Sequence, residues 1–79
     1  MNRQQAAVRK HILTKRAVLE AAEAGLCGTA SDYRVRIRFA NGIHNTTELV
    51  EQALVTLYKA GKLQATRFGT DHSVHYFID

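Results

Sequence analysis

The segment from Asn45 to Leu63, NTTELVEQALVTLYKAGKL, limits the possible folds of this chain more than any other stretch. Its apolar residues recur at intervals of three and four, which places them on one face of an α-helix. They are Leu49, Val50, Ala53, Leu54 and Leu57. Asn45 is a favourable N-cap, and Glu48 follows three residues later, as in a capping box. Since Gly61 can adopt the left-handed conformation that ends a helix, we predict a helix here.

Two short segments of β-forming residues follow this helix, Gln64 to Phe68 and Ser73 to Ile78. The four residues between them, Gly-Thr-Asp-His, have the length and composition of a hairpin loop. We therefore predict a C-terminal β-hairpin.

The N-terminal third of the chain has the composition of a helix. Residues 3–25 are rich in alanine and other helix formers, and Gly25 and Gly28 mark its end. The simplest prediction is one long helix, with a break near Thr14 as the alternative. Its predicted apolar face comprises Val8, Ile12, Leu19, Ala22 and Leu26.

Residues 31–40, SDYRVRIRFA, alternate between apolar side chains and arginines. A period of two with aromatic and β-branched residues favours a strand. The alternative is a short helix capped by Ser31 and Asp32, which would leave Val35 and Phe39 in water.

If this segment is a strand, its three arginines form a basic row. Arg34, Arg36 and Arg38 would project to one side at intervals of about 7 Å. Such a row could follow a sugar-phosphate backbone or an acidic protein strip. It could equally protect an edge strand from aggregation.

A helix that ends in Ala-Gly-Lys-Leu and leads directly into a hairpin resembles the second half of a winged helix-turn-helix DNA-binding domain. The matching residues are Val50, Ala53, Leu54, Leu57, Gly61 and Leu63. The resemblance implies one α+β domain over residues 1–79, with an N-terminal helix, a strand or short helix, a recognition-type helix and a hairpin wing. It also implies that residues 45–60 face the major groove and that residues 66–75 form the wing.

The candidate DNA-binding residues lie on the exposed side and first turn of the central helix, in the arginine row and on the wing. They are Asn45, Thr46, Thr47, Gln52, Lys59, Arg34, Arg36, Arg38, Arg67 and His72. Glutamine can bind adenine through two hydrogen bonds, and a helix N-terminus attracts phosphate oxygens. Glu48 and Glu51 on the same helix oppose a polyanion.

The net charge is consistent with a polyanionic partner. Eleven Lys and Arg against seven Asp and Glu give +4, which favours double-stranded DNA through long-range attraction and counterion release. We expect a small transcriptional regulator of phage, plasmid or bacterial type, acting as a homodimer because one small module contacts little DNA. The alternative is a protein-protein interaction module, such as a phage-encoded inhibitor or adaptor, that docks its basic or aromatic surface on an acidic protein.

The residue pattern gives little support to other classes of function. The single cysteine, Cys27, cannot form an internal disulfide, which suits a reducing cytoplasm, and we expect its thiol to be buried. No apolar run reaches the ~20 residues of a membrane span. We see no histidine and cysteine spacing typical of a metal site, no nucleophile paired with a base and no phosphate-binding glycine loop. We therefore expect no enzyme activity, no metal and no cofactor.

Overall fold

The structure is a computed structural model that describes residues 3–70 and 73–78. Within these residues, three helices precede a two-stranded antiparallel sheet, so the chain is α+β. The elements are α1 (Arg3–Glu23), α2 (Ala30–Asn41), α3 (Thr47–Lys59), β1 (Gln64–Phe68) and β2 (Ser73–Phe77).

Helix α3 forms where the sequence predicts it, with a different N-cap. Thr46 caps the helix, and its hydroxyl accepts a hydrogen bond from the Leu49 amide at 3.3 Å. The predicted cap, Asn45, instead directs its side chain towards α1. Gly61 adopts a φ of 77°, in the left-handed region, just after the helix ends. The buried side of α3 consists of Val50, Ala53, Leu54 and Leu57.

Residues 31–40 belong to a helix, so the favoured strand prediction was wrong. Tyr33 and Ile37 lie one turn apart on α2, and both are fully buried. Thr29 caps the helix in a capping box with Asp32, whose carboxylate accepts a hydrogen bond from the Thr29 amide at 2.9 Å. Gly42 ends the helix in the left-handed conformation, with a φ of 66°.

The helical form of this segment also changes the geometry of the arginines. Arg34 and Arg38 are one turn apart on one side of α2, whereas Arg36 projects in another direction. The predicted one-sided row of three guanidinium groups is therefore absent from this helix. Val35 and Phe39 are exposed to solvent, which is the consequence expected for the helical alternative.

Helix α1 is continuous through Thr14, as the one-helix prediction requires, but its buried face differs from the prediction. Val8 and Ile12 are exposed, so the face of α1 that packs on the core is not the predicted one. The buried side consists mainly of small residues, which permit close packing of α2 and α3: Thr14, Ala17, Val18, Ala21 and Ala22. The described chain measures 43 × 25 × 23 Å.

The hairpin is attached to the helices through Gly28 and Tyr33. Strand β1 pairs with β2 in a register that runs from Gln64 opposite Phe77 to Phe68 opposite Ser73. Gly28 exchanges two backbone hydrogen bonds with Tyr76 of β2, at 2.8 and 3.2 Å. The buried Tyr33 hydroxyl lies 2.9 Å from the Tyr76 carbonyl oxygen, so α2 and the hairpin are joined directly.

Candidate nucleic-acid interface

A cavity of about 360 Å³ lies where α1, α2 and the connection 42–46 meet. We call it the basic cavity because four of its lining side chains are lysine, arginine or histidine. Its described lining consists of Lys10, Arg34, Arg38, Ile43, His44, Asn45, Thr46 and Leu49. The cavity thus adjoins the N-terminal end of α3, which begins after Thr46.

The basic residues of the cavity come from two helices and one loop. Arg34 and Arg38 are neighbours because four residues separate them on α2, and Lys10 reaches the cavity from α1. Arg34 is half-buried, and its Nε atom is enclosed without a hydrogen-bond partner among the described residues. Like charges held together in this way repel each other, so a bound anion would stabilise the arrangement.

Asn45 fixes the position of the connection between α2 and α3. Its side-chain amide donates a hydrogen bond to the hydroxyl of Thr14 at 2.5 Å. The buried Thr14 hydroxyl in turn donates to the carbonyl oxygen of Lys10 at 2.8 Å. This chain of bonds holds Lys10 and the N-terminus of α3 on the same cavity, and it engages the Asn45 amide inside the protein.

Thr46 places the positive end of the α3 dipole at the basic cavity. Its hydroxyl satisfies the Leu49 amide, and its carbonyl oxygen accepts from the Val50 amide at 3.2 Å. The aligned peptide dipoles of a helix give its N-terminus a partial positive charge that favours an anion. The N-terminus of α3 and the cationic side chains therefore both favour an anion in the basic cavity.

A second depression, of about 510 Å³, follows the exposed side of α3 beside α1. We call it the α3 groove, and its described lining is His11, Glu48, Glu51, Gln52, Val55 and Thr56. Gln52, the predicted base-reading residue, lies here together with two carboxylates. The α3 groove is therefore acidic in character, in contrast to the basic cavity.

The remaining predicted residues are spread over the molecule. Arg36 is exposed on α2 away from the basic cavity, Thr47 is half-buried in the first turn of α3, and Arg67 is exposed on β1. Lys59 is exposed in the last turn of α3, about 20 Å from Thr46 along the helix. His72 lies outside the described residues.

Two basic residues of the cavity, Lys10 and His44, were not among the predicted site residues. Lys10 is one of several basic residues on α1. The way in which α1 crosses the connection 42–46 determines which of them lies at the cavity. His44 precedes Asn45 directly, so a search for basic residues beside the predicted helix start would have found it.

Other kinds of site are poorly supported by the described residues. Among them, no group of three or more His, Cys, Asp or Glu side chains lies close enough to hold a metal ion. In the same part of the chain, none of the helices has both the length and the apolar character required to cross a membrane. Cys27 is exposed, which contradicts the expected buried thiol.

Comparisons with protein-family models, with curated proteins and with solved structures found no match to this chain. We therefore infer function from the geometry of the described residues.

Proposed function

We propose that the protein binds double-stranded DNA, with a backbone phosphate in the basic cavity and the N-terminal end of α3 at the major groove of the duplex. One observation carries the proposal. Lys10, Arg34 and Arg38 converge from two helices on the N-terminus of a third. The net charge of +4 favours the same partner.

The arrangement of the elements supports this assignment. Three helices followed by a hairpin are compatible with a winged-helix-like layout. In such a layout α2, the connection 42–46 and α3 form the helix-turn-helix, and the hairpin with Arg67 forms the wing. The backbone bridge between Gly28 and Tyr76 adds a short third partner to the hairpin. A small transcriptional regulator is the class of protein that this layout would serve.

The side chains of the basic cavity suit a phosphodiester. A guanidinium group can bind two phosphate oxygens at once, and an ammonium group adds a compact positive charge. Such contacts fix the orientation of the protein on the duplex without reading sequence. Base recognition is left to the exposed side of α3, where Gln52 can pair with adenine but Glu48 and Glu51 repel phosphates. Binding should therefore depend mostly on phosphate contacts.

We expect the Arg38→Ala variant to bind duplex DNA more weakly and with a lower salt dependence. Arg38 is exposed, so its loss removes a cation from the cavity without disturbing the core. Each lost phosphate contact should reduce the log-log slope of affinity against salt by about 0.9. Fluorescence anisotropy with a labelled random-sequence duplex, titrated from low to moderate salt, measures both quantities.

Arg36→Ala is the matched control, because it removes the same charge from an exposed position of the same helix that does not line the cavity. Its slope should equal that of the wild type. Equal losses in both variants would show that total charge alone matters and would contradict the basic cavity as the phosphate site. Absence of wild-type binding at the lowest salt would reject DNA as the partner.

A further inference from the structure

Phe39 projects from α2 into solvent. Its side chain is 83% exposed, and Val35, one turn earlier on the same side, is 46% exposed. Arg36, three residues before Phe39, is also exposed and lies beside this apolar pair. We call Val35, Arg36 and Phe39 the α2 knob. The exposed phenylalanine and the exposed valine one turn away form a small apolar patch that a partner can cover.

The α3 groove has the complementary properties. Val55, a half-buried apolar residue, lines it together with the carboxylates of Glu48 and Glu51. Its volume of about 510 Å³ is ample for a phenylalanine ring. A half-buried valine with acidic neighbours complements an exposed phenylalanine with an arginine beside it.

The two surfaces do not meet within one chain. Among the described residues, α2 contributes none to the lining of the α3 groove. Phe39 is exposed, so it does not fill the groove of its own chain. A second copy of the chain can supply the knob to the groove and leave its own groove free.

We propose that the protein self-associates head to tail, with the α2 knob of one copy in the α3 groove of the next. Charge complementarity between Arg36 and the two groove carboxylates favours this contact over the pairing of two knobs, which would bring arginines together. Because the paired surfaces differ, each added copy leaves a knob and a groove unoccupied, and the assembly extends. The contact is small, so association is weak and depends on concentration.

Sedimentation velocity of three proteins tests the contact. Wild type should form species larger than a dimer as its concentration rises from about 10 µM to about 1 mM, the range suited to a small interface. Phe39→Ser should remain monomeric because it lacks the knob. The double variant E48K/E51K should remain monomeric because its groove repels Arg36. Tyr58→Ser removes an exposed aromatic of α3 outside the groove and should assemble like the wild type.

A mixture of Phe39→Ser and E48K/E51K separates head-to-tail contact from other modes. The first variant keeps an intact groove and the second an intact knob, so the mixture should form a one-to-one dimer and nothing larger. Far-ultraviolet circular dichroism checks that every variant is folded. A wild type that stays monomeric over the whole range overturns the proposal. A self-associating E48K/E51K variant, or a mixture without the dimer, also overturns it. None of these outcomes depends on DNA binding.

Discussion

Tyr33 connects three segments of the chain through one hydroxyl group. The hydroxyl lies 2.8 Å from the carbonyl oxygen of Leu26 and 2.9 Å from that of Tyr76. Burial raises the pKa of Tyr33 to about 12, and the negative charge that Cys27 carries when ionised adds to the shift. The folded state thus favours the protonated hydroxyl of Tyr33. Ionisation of this hydroxyl should weaken the attachment of the hairpin to α2.

We expect the stability of the protein to fall between about pH 10 and about pH 12, and the Tyr33→Phe variant to lose part of this dependence. The folded-state pKa lies above the unfolded value, so the contribution is complete below pH ~10 and is lost as pH rises towards the folded pKa. The expected slope is at most about 1.4 kcal/mol per pH unit. Urea unfolding at several pH values measures it.

The same comparison at neutral pH isolates the hydrogen bonds of Tyr33. Its replacement by phenylalanine should lower the free energy of unfolding by about 1–2 kcal/mol, because the carbonyl oxygens of Leu26 and Tyr76 lose the one hydroxyl hydrogen that they share. Tyr76, whose pKa is also raised chiefly by burial, remains in the variant, so some dependence on high pH should persist. If the free energy of unfolding depends on pH equally in the variant and in the wild type, Tyr33 does not contribute to that dependence.

Helix α2 shows how a local pattern can be overruled by packing. Its alternation of apolar and basic residues is typical of a strand, and as a strand it would have kept all its apolar residues on one side. In the helix only Tyr33 and Ile37 of that set are buried, and both lie in the centre of the core. The capping box and the contacts with α1 and α3 outweigh the exposure of Val35 and Phe39.

At the level of this element, we expect Thr29→Ala to destabilise the protein by about 1 kcal/mol through the loss of the α2 N-cap. Thr29 accepts from the Asp32 amide at 3.4 Å, and its own amide donates to the Asp32 carboxylate. Ser31→Ala is the control, because Ser31 is exposed inside the first turn and does not cap the helix. Thermal unfolding followed by circular dichroism compares them. Equal midpoints for the two variants would contradict the assigned cap.

Over the whole molecule, charge is separated between two surfaces. The basic cavity gathers cations from α1 and α2, whereas the α3 groove carries Glu48 and Glu51. The cavity adjoins the N-terminus of α3, and the groove follows the side of that helix. Duplex DNA bound as proposed would cover part of the α3 groove, and the knob of a neighbouring copy would occupy the same region.

We therefore expect duplex DNA and self-association to compete. Adding DNA to assembled wild-type protein at low salt should break the assembly into DNA-bound units, as measured by sedimentation velocity with a labelled duplex. The Arg38→Ala variant, for which we expect weaker DNA binding, should remain assembled at the same DNA concentration. If DNA binds the assembly without dissociating it, the duplex and the α2 knob of the neighbouring copy contact different faces of α3.

The parts of this protein that could be read from its sequence depend on contacts between near neighbours in the chain. The α3 stripe, Gly61 and the two β segments are of this kind, because helix periodicity and turn chemistry act over a few residues. Four of the predicted site residues, Arg34, Arg38, Asn45 and Thr46, meet in one cavity, although the strand prediction placed the arginines differently.

The rest was decided by packing between distant segments. The helical state of residues 31–40, the exposure of Val8 and Ile12, and the recruitment of Lys10 to the cavity all depend on how α1, α2 and α3 cross. The fold is stabilised by the apolar side chains that the assembled core can bury. Which side chains these are depends on several segments together, so it cannot be read from any one of them. Local pattern therefore set the elements at the C-terminal end, and tertiary contact chose the state of α2 and the composition of both surfaces.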